Sequence, residues 1–146
     1  MQREQLRPGS EIVYTVTNYY DGPREGIADY KSIPHFYECI IDSANDHYSD
    51  LYRLTPIDEL TFSLGMESWA IWKRWERAFH EGKTSGESHP ALPEDAARYR
   101  ELKEILNKTL RSDSDAIIQN GEFSVLGHTE VPRGVIRPLQ VRWANP

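Results

Sequence analysis

Short apolar and β-branched runs alternate with turn residues in the first third of the chain, and this pattern predicts β-strands. Residues 11–20 carry β-branched and aromatic side chains on both faces of an extended segment. Three further strands are predicted within residues 27–30, 35–42 and 48–55, each set off from the next by a turn or a polar loop. Short strands at this close spacing are typical of an antiparallel meander.

A helical period replaces the strand pattern in the middle of the chain. Apolar side chains recur on one broad stripe between residues 64 and 79, and Asp58 is placed to cap the helix that carries them. Gly65 is expected to interrupt the first turns, which would move the start of the helix to Met66. A second helix is predicted over residues 93–110, with a proline suited to its first turn.

The end of the chain returns to strand character. Residues 116–118 and 123–125 flank Asn120 and Gly121, a pair that indicates a hairpin turn or a bulge. Residues 139–143 alternate apolar and polar side chains and predict a last strand.

The late strands must pair with an exposed edge of the first meander. Two architectures meet this requirement: a small SH3-like barrel, and an open antiparallel sheet covered on one face by both helices. We favour the open sheet, because two helices with wide apolar stripes need a large surface to cover. The sequence therefore predicts one α+β domain over residues 1–146, with a helical pair inserted at about 58–110.

Composition and charge remove several classes of function. The net charge is −6 and no basic stripe is present, which argues against nucleic acid as a partner. No apolar run approaches the roughly 18 residues of a membrane span, and residues 1–7 do not resemble a secretion signal. Cys39 is the single cysteine, which excludes an internal disulfide and favours a reducing compartment. We expect an acidic, cytoplasmic protein.

The turn that follows the first strand is the most distinctive local feature of the sequence. Gly22 and Pro23 specify a turn, and the favoured interpretation is a turn with tyrosines packed on either face. The alternative is a rigid aromatic and charged edge that binds a ligand or a partner. Its candidate residues are Tyr19, Tyr20, Asp21 and Arg24.

The first helix offers a second candidate surface. Trp69 lies off the apolar stripe and shares one flank of the helix with Trp72, Glu76 and His80. The favoured interpretation is a partial core beside a solvated pair, because Glu76 and His80 lie one turn apart. The alternative is an aromatic wall with a polar lining, as in a small-molecule pocket.

Few other residues suggest a catalytic, metal-binding or cofactor-binding site. Cys39 lies in a strand with apolar neighbours, which favours an inert buried thiol. We expect no metal and no cofactor, because the histidines lack the spacing of a metal site and no nucleophile or phosphate-binding motif is present. These scattered histidines are His35, His47, His80, His89 and His128.

Two segments of the sequence are similar to a family of uncharacterised bacterial proteins. They are residues 19–28, which include the turn, and residues 71–76 of the first helix. The resemblance covers about the first two-thirds of the chain. It implies a bacterial domain, and it implies no activity.

Two hypotheses of function follow. The first is a small binding or interaction domain of an accessory, regulatory or immunity type, which recognises a protein partner or a small molecule through aromatic side chains. The alternative is a small hydrolase-like enzyme whose histidine and carboxylate groups come from separate strands. A homodimer that pairs through residues 139–143 is a further possibility, if that strand lies at a sheet edge.

Overall fold

The computed structural model describes residues 6–44, 47–127, 131, 135 and 137–146. These residues form a seven-stranded antiparallel sheet and two α-helices, and both helices lie between the fifth and sixth strands. The α+β class and the inserted helical pair are therefore confirmed. The elements are β1 (Glu11–Ile12), β2 (Asn18–Tyr19), β3 (Pro23–Tyr30), β4 (Ile33–Asp42), β5 (His47–Pro56), α1 (Glu59–His80), α2 (Ala96–Thr109), β6 (Ile117–Val125) and β7 (Leu139–Ala144).

The sheet has the order β1-β7-β6-β5-β4-β3-β2, and it curls into a half-barrel because its first segment touches both ends. Ile12 pairs with β7, whereas Val13 forms a bridge to Ala28 of β3. The backbone N–H of Tyr14 then donates to the carbonyl of Ile27 at 2.8 Å. The predicted single strand is thus divided into β1 and β2, because the chain changes its pairing partner between them.

An aromatic cluster fills the concave side of this curled sheet. Tyr37, Tyr52, Phe123 and Trp143 come from four neighbouring strands, and their ring centroids lie 5.3 to 6.4 Å apart. The indole N–H of Trp143 donates to the carbonyl of Asp29 at 2.9 Å, so β7 is tied to β3 across the sheet. Large rings with satisfied polar atoms make this cluster the main core of the sheet.

Gly121 makes room for the aromatic cluster. It lies inside β6 opposite Trp143, so the predicted hairpin or bulge at Asn120 and Gly121 is wrong. A Cβ atom at Gly121 would come within 2.6 Å of Trp143 and 2.8 Å of Tyr52. The local turn signal was misleading because the glycine serves close packing between strands.

Helix α1 begins at Glu59, directly after the predicted cap Asp58 and about two turns before Met66. The carboxylate of Asp58 caps it by accepting the backbone N–H of Thr61 at 2.7 Å. Gly65 does not interrupt the helix, so this part of the prediction is wrong. A Cβ there would lie 2.7 Å from the Cδ1 atom of Ile27. The glycine therefore lets α1 approach the outer face of the sheet closely.

Farther along, α1 packs against α2 instead of the sheet. Ile71, Ala91 and Leu102 form a second buried apolar cluster between the helices. The helical pair covers the outer face of the sheet while the sheet itself curls, so the fold combines features of both expected architectures. Within the described part of the chain, neither helix has the length and apolar character needed to cross a membrane.

We predict that Gly121→Ala lowers the free energy of unfolding by about 1–3 kcal/mol, because the added methyl group overpacks the aromatic cluster. Urea denaturation measures the difference. Gly86→Ala is the matched control, since no heavy atom lies within 4 Å of a Cβ at that position, and its effect should stay within about 0.5 kcal/mol. Equal stability of the two variants would show that the cluster tolerates the methyl group.

Candidate functional site

A cleft of about 510 Å³ lies between the outer face of the sheet and the two helices. The apolar side chains of its floor include Val16, Ile27 and Phe36, and two threonines of the same segment as Val16 lie beside them. Helix α1 forms one wall, and α2 forms the other through Tyr99 and Leu106. The volume falls within the range of roughly 300–1,000 Å³ that is usual for small-molecule sites.

Two stacked tryptophans line the wall of the cleft that α1 provides. The rings of Trp69 and Trp72 are 5.2 Å apart and inclined by 24°. The ammonium group of Lys73 lies 5.6 Å and 5.7 Å from the two ring centroids, within range of a cation–π interaction. Glu76 holds Lys73 in this position by an ion pair of 2.7 Å. The wall is therefore a large and firmly positioned aromatic surface.

Glu25 and Lys103 supply the charged groups of the cleft. Glu25 lies on β3 directly opposite Glu38 of β4, and Lys103 lies on α2. Burial raises the pKa of the Glu25 carboxyl, the charge of Glu38 raises it further, and the charge of Lys103 lowers it. Within the described residues, the Glu25 carboxylate has no hydrogen bond and no ion pair. A half-buried carboxylate without a partner thus faces the cleft.

Further polar side chains stand around the cleft. Ser68 comes from α1 and Asn107 comes from α2, while His89 comes from the loop between the helices. The ring of His89 packs edge-on against Trp75 at 4.7 Å, which anchors this loop to α1. The cleft therefore combines apolar and aromatic surface with hydrogen-bonding groups from the sheet and both helices, a composition that suits a ligand site.

The turn of residues 20–22 joins β2 to β3 beside one rim of the cleft. Tyr19 lines the cleft, while Tyr20 is 69% exposed and points elsewhere. Arg24 holds the turn by donating from Nε to the carbonyl of Tyr20 at 2.6 Å and from Nη2 to the carbonyl of Asp21. Its guanidinium also lies 4.1 Å from the centre of the Tyr48 ring. The turn is a fixed edge rather than a loose loop.

The structure separates the residues that share one flank of α1. Trp69 and Trp72 line the cleft, whereas Glu76 is buried and supports Lys73 from behind. His80 is exposed, and its ring contacts Phe79. Neither Glu76 nor His80 lines the cleft. Of the predicted site residues, Tyr19 and Trp69 meet there.

Sequence reasoning did not single out Glu25, Lys103 or Asn107. Glu25 carries one recognisable signal, an acidic side chain that shares a strand face with the apolar Ile27. Lys103 and Asn107 fall one and two turns after Tyr99, so one helix face carries all three. These signals become informative only when the partner of that face is known.

Cys39 is buried, as its apolar neighbours predict, and its Sγ atom lies 3.2 Å from the carbonyl of Ser49. Among the described residues, no group of three or more His, Cys, Asp or Glu side chains is arranged to hold a metal ion. His128 lies outside the described residues.

Comparison with known proteins returns no matching family model, no matching curated protein and no matching solved structure. The geometry of the cleft is therefore the basis for assigning a function.

We predict that a ¹³C NMR titration places the pKa of the Glu25 carboxyl above its ordinary value of 4.5. Glu38→Gln should lower this pKa, because it removes a like charge, and Lys103→Gln should raise it. A pKa that moves in neither variant would place both charges too far from Glu25 to act on it.

The raised pKa also sets the sign of a stability change. The folded chain binds the Glu25 proton more tightly than the unfolded chain, so stability falls as the pH rises from 4.5 through the raised pKa. Glu25→Gln should remove this loss in urea denaturation at neutral pH and have little effect below the ordinary pKa.

Proposed function

We propose that this protein is a binding domain that takes up a small, mainly aromatic molecule in the cleft. The observation that carries the proposal is the cleft of about 510 Å³ with the stacked indoles of Trp69 and Trp72 on one wall. Aromatic side chains with few polar groups around them are typical of such sites. This proposal keeps the binding domain expected from the sequence and assigns its ligand to the cleft.

An accessory or regulatory role in the cytoplasm fits this proposal. A ligand in the cleft would touch both the sheet floor and α2, because Ile27 and Leu106 lie on different walls. Binding would therefore favour one arrangement of the helical pair over the sheet. Tyr20, which lies outside the cleft and is exposed, is the residue we assign to contact with a protein partner.

A hydrolase-like enzyme is the second candidate, and one observation favours it. Glu25 and His89 both line the cleft, and burial raises the pKa of the Glu25 carboxyl above its ordinary value, which is the direction of shift that a general acid requires. Turnover of nitrophenyl esters by the purified protein, lost in Glu25→Gln, would favour the enzyme over the binding domain.

We predict that the fluorescent probe 1-anilinonaphthalene-8-sulfonate binds in the cleft and that Ser68→Phe abolishes this binding, because the larger ring fills the space beside Trp69. Ala70→Phe is the matched control. Ala70 is exposed and lies about 200° around α1 from position 68. This variant should bind the probe like the wild type.

Cooperative thermal unfolding with a midpoint close to that of the wild type must accompany the loss in Ser68→Phe, since partly folded chains also bind this probe. Equal probe binding by a folded Ser68→Phe variant and the wild type would rule out the cleft as the binding site.

A further inference from the structure

The carboxylate of Glu25 stands without a cation beside it. Arg53 and Ser112 both contact Glu38 instead, at 3.5 Å and 3.0 Å. Arg24 is engaged by the turn that it holds and by Tyr48. Arg24, Arg53 and Ser112 are therefore engaged by other groups, and a cationic group of a ligand would relieve the repulsion between the two carboxylates.

Lys103 supplies the opposite charge across the cleft. Its ammonium group lies 5.9 Å from the Tyr99 ring centroid, and it forms no ion pair within the described part of the chain. Its charge acts on Glu25, yet the two groups are not in contact. The cleft thus presents a negative and a positive group that are separated from each other.

This separation selects among ligands by charge. A ligand with only a cationic group would form an ion pair with Glu25 but would place a second positive charge near Lys103. A ligand with only a carboxylate would form an ion pair with Lys103 but would be repelled by the negative charge of Glu25. A ligand that carries both groups matches both positions, and charge complementarity of this kind is a source of specificity.

We infer that the ligand is an aromatic amino acid or a close analogue of one, with its ammonium group on Glu25, its carboxylate on Lys103 and its ring against Trp69 and Trp72. The inference rests on the proposed function, since it names the ligand class of the same cleft. The part of the ligand's ring that does not contact the tryptophans packs against the apolar side chains of the floor, which include Val16.

Isothermal titration calorimetry with three indoles tests the inference. L-Tryptophan carries both charged groups, tryptamine lacks the carboxylate, and indole-3-propionate lacks the ammonium group. L-Tryptophan should bind the wild type more tightly than either analogue by about tenfold, the effect of one lost charge-assisted contact.

Variants then test which residue contacts each charged group of the ligand. Glu25→Gln should weaken L-tryptophan and tryptamine by about tenfold and leave indole-3-propionate no weaker. Lys103→Gln should weaken L-tryptophan and indole-3-propionate and leave tryptamine no weaker. Glu104→Gln and Lys108→Gln are the matched controls, because both residues are exposed on α2 and neither lines the cleft. They should bind all three indoles like the wild type.

Equal affinity for the three indoles, or no binding of L-tryptophan, would overturn the inference. If the naphthalene probe still binds the wild type and is lost in Ser68→Phe, the cleft remains a binding site and only the ligand class is wrong. If the probe also fails to bind in the cleft, the proposed function itself is wrong.

Discussion

The change of pairing partner within residues 11–19 is the constraint on which the rest of the structure depends. The segment leaves β7 after Ile12 and continues along β3, so one short piece of chain joins the two ends of the meander. This junction curls the sheet, encloses the aromatic cluster and limits the open edges at which other chains could pair. It also brings Val16 and Tyr19 to the floor and rim of the cleft.

Periodicity in the sequence was sufficient to predict both helices and their place between β5 and the last two strands, and the approximate positions of β4 and β5. It did not give the bounds of the first strands, since β3 begins at Pro23 instead of Ile27. The junction could not be predicted, because pairing between distant segments leaves no local pattern in the sequence. Two glycines were misread for the same reason. Gly65 and Gly121 look like breakers in isolation, but each one meets a side chain from another element, Ile27 in the first case and Trp143 in the second.

The candidate site was predicted only in part. Tyr19 and Trp69 were identified because aromatic side chains off an apolar stripe are unusual enough to notice. Glu25 and Lys103 are ordinary charged residues on an ordinary strand and helix, and their importance arises from packing that places them around one space. Glu76 was a candidate for the polar lining of a pocket, but its carboxylate forms an ion pair with Lys73 and does not line the cleft.

The stacked indoles have an optical consequence. Two chromophores whose ring centroids are 5.2 Å apart couple their electronic transitions, and the coupling depends steeply on their mutual orientation. The pair therefore gives the cleft an intrinsic spectroscopic signal that differs from that of Trp143 in the core of the sheet. A change in the angle between the rings would be visible without any added label, so the chain carries its own reporter of what occupies the space between helix and sheet.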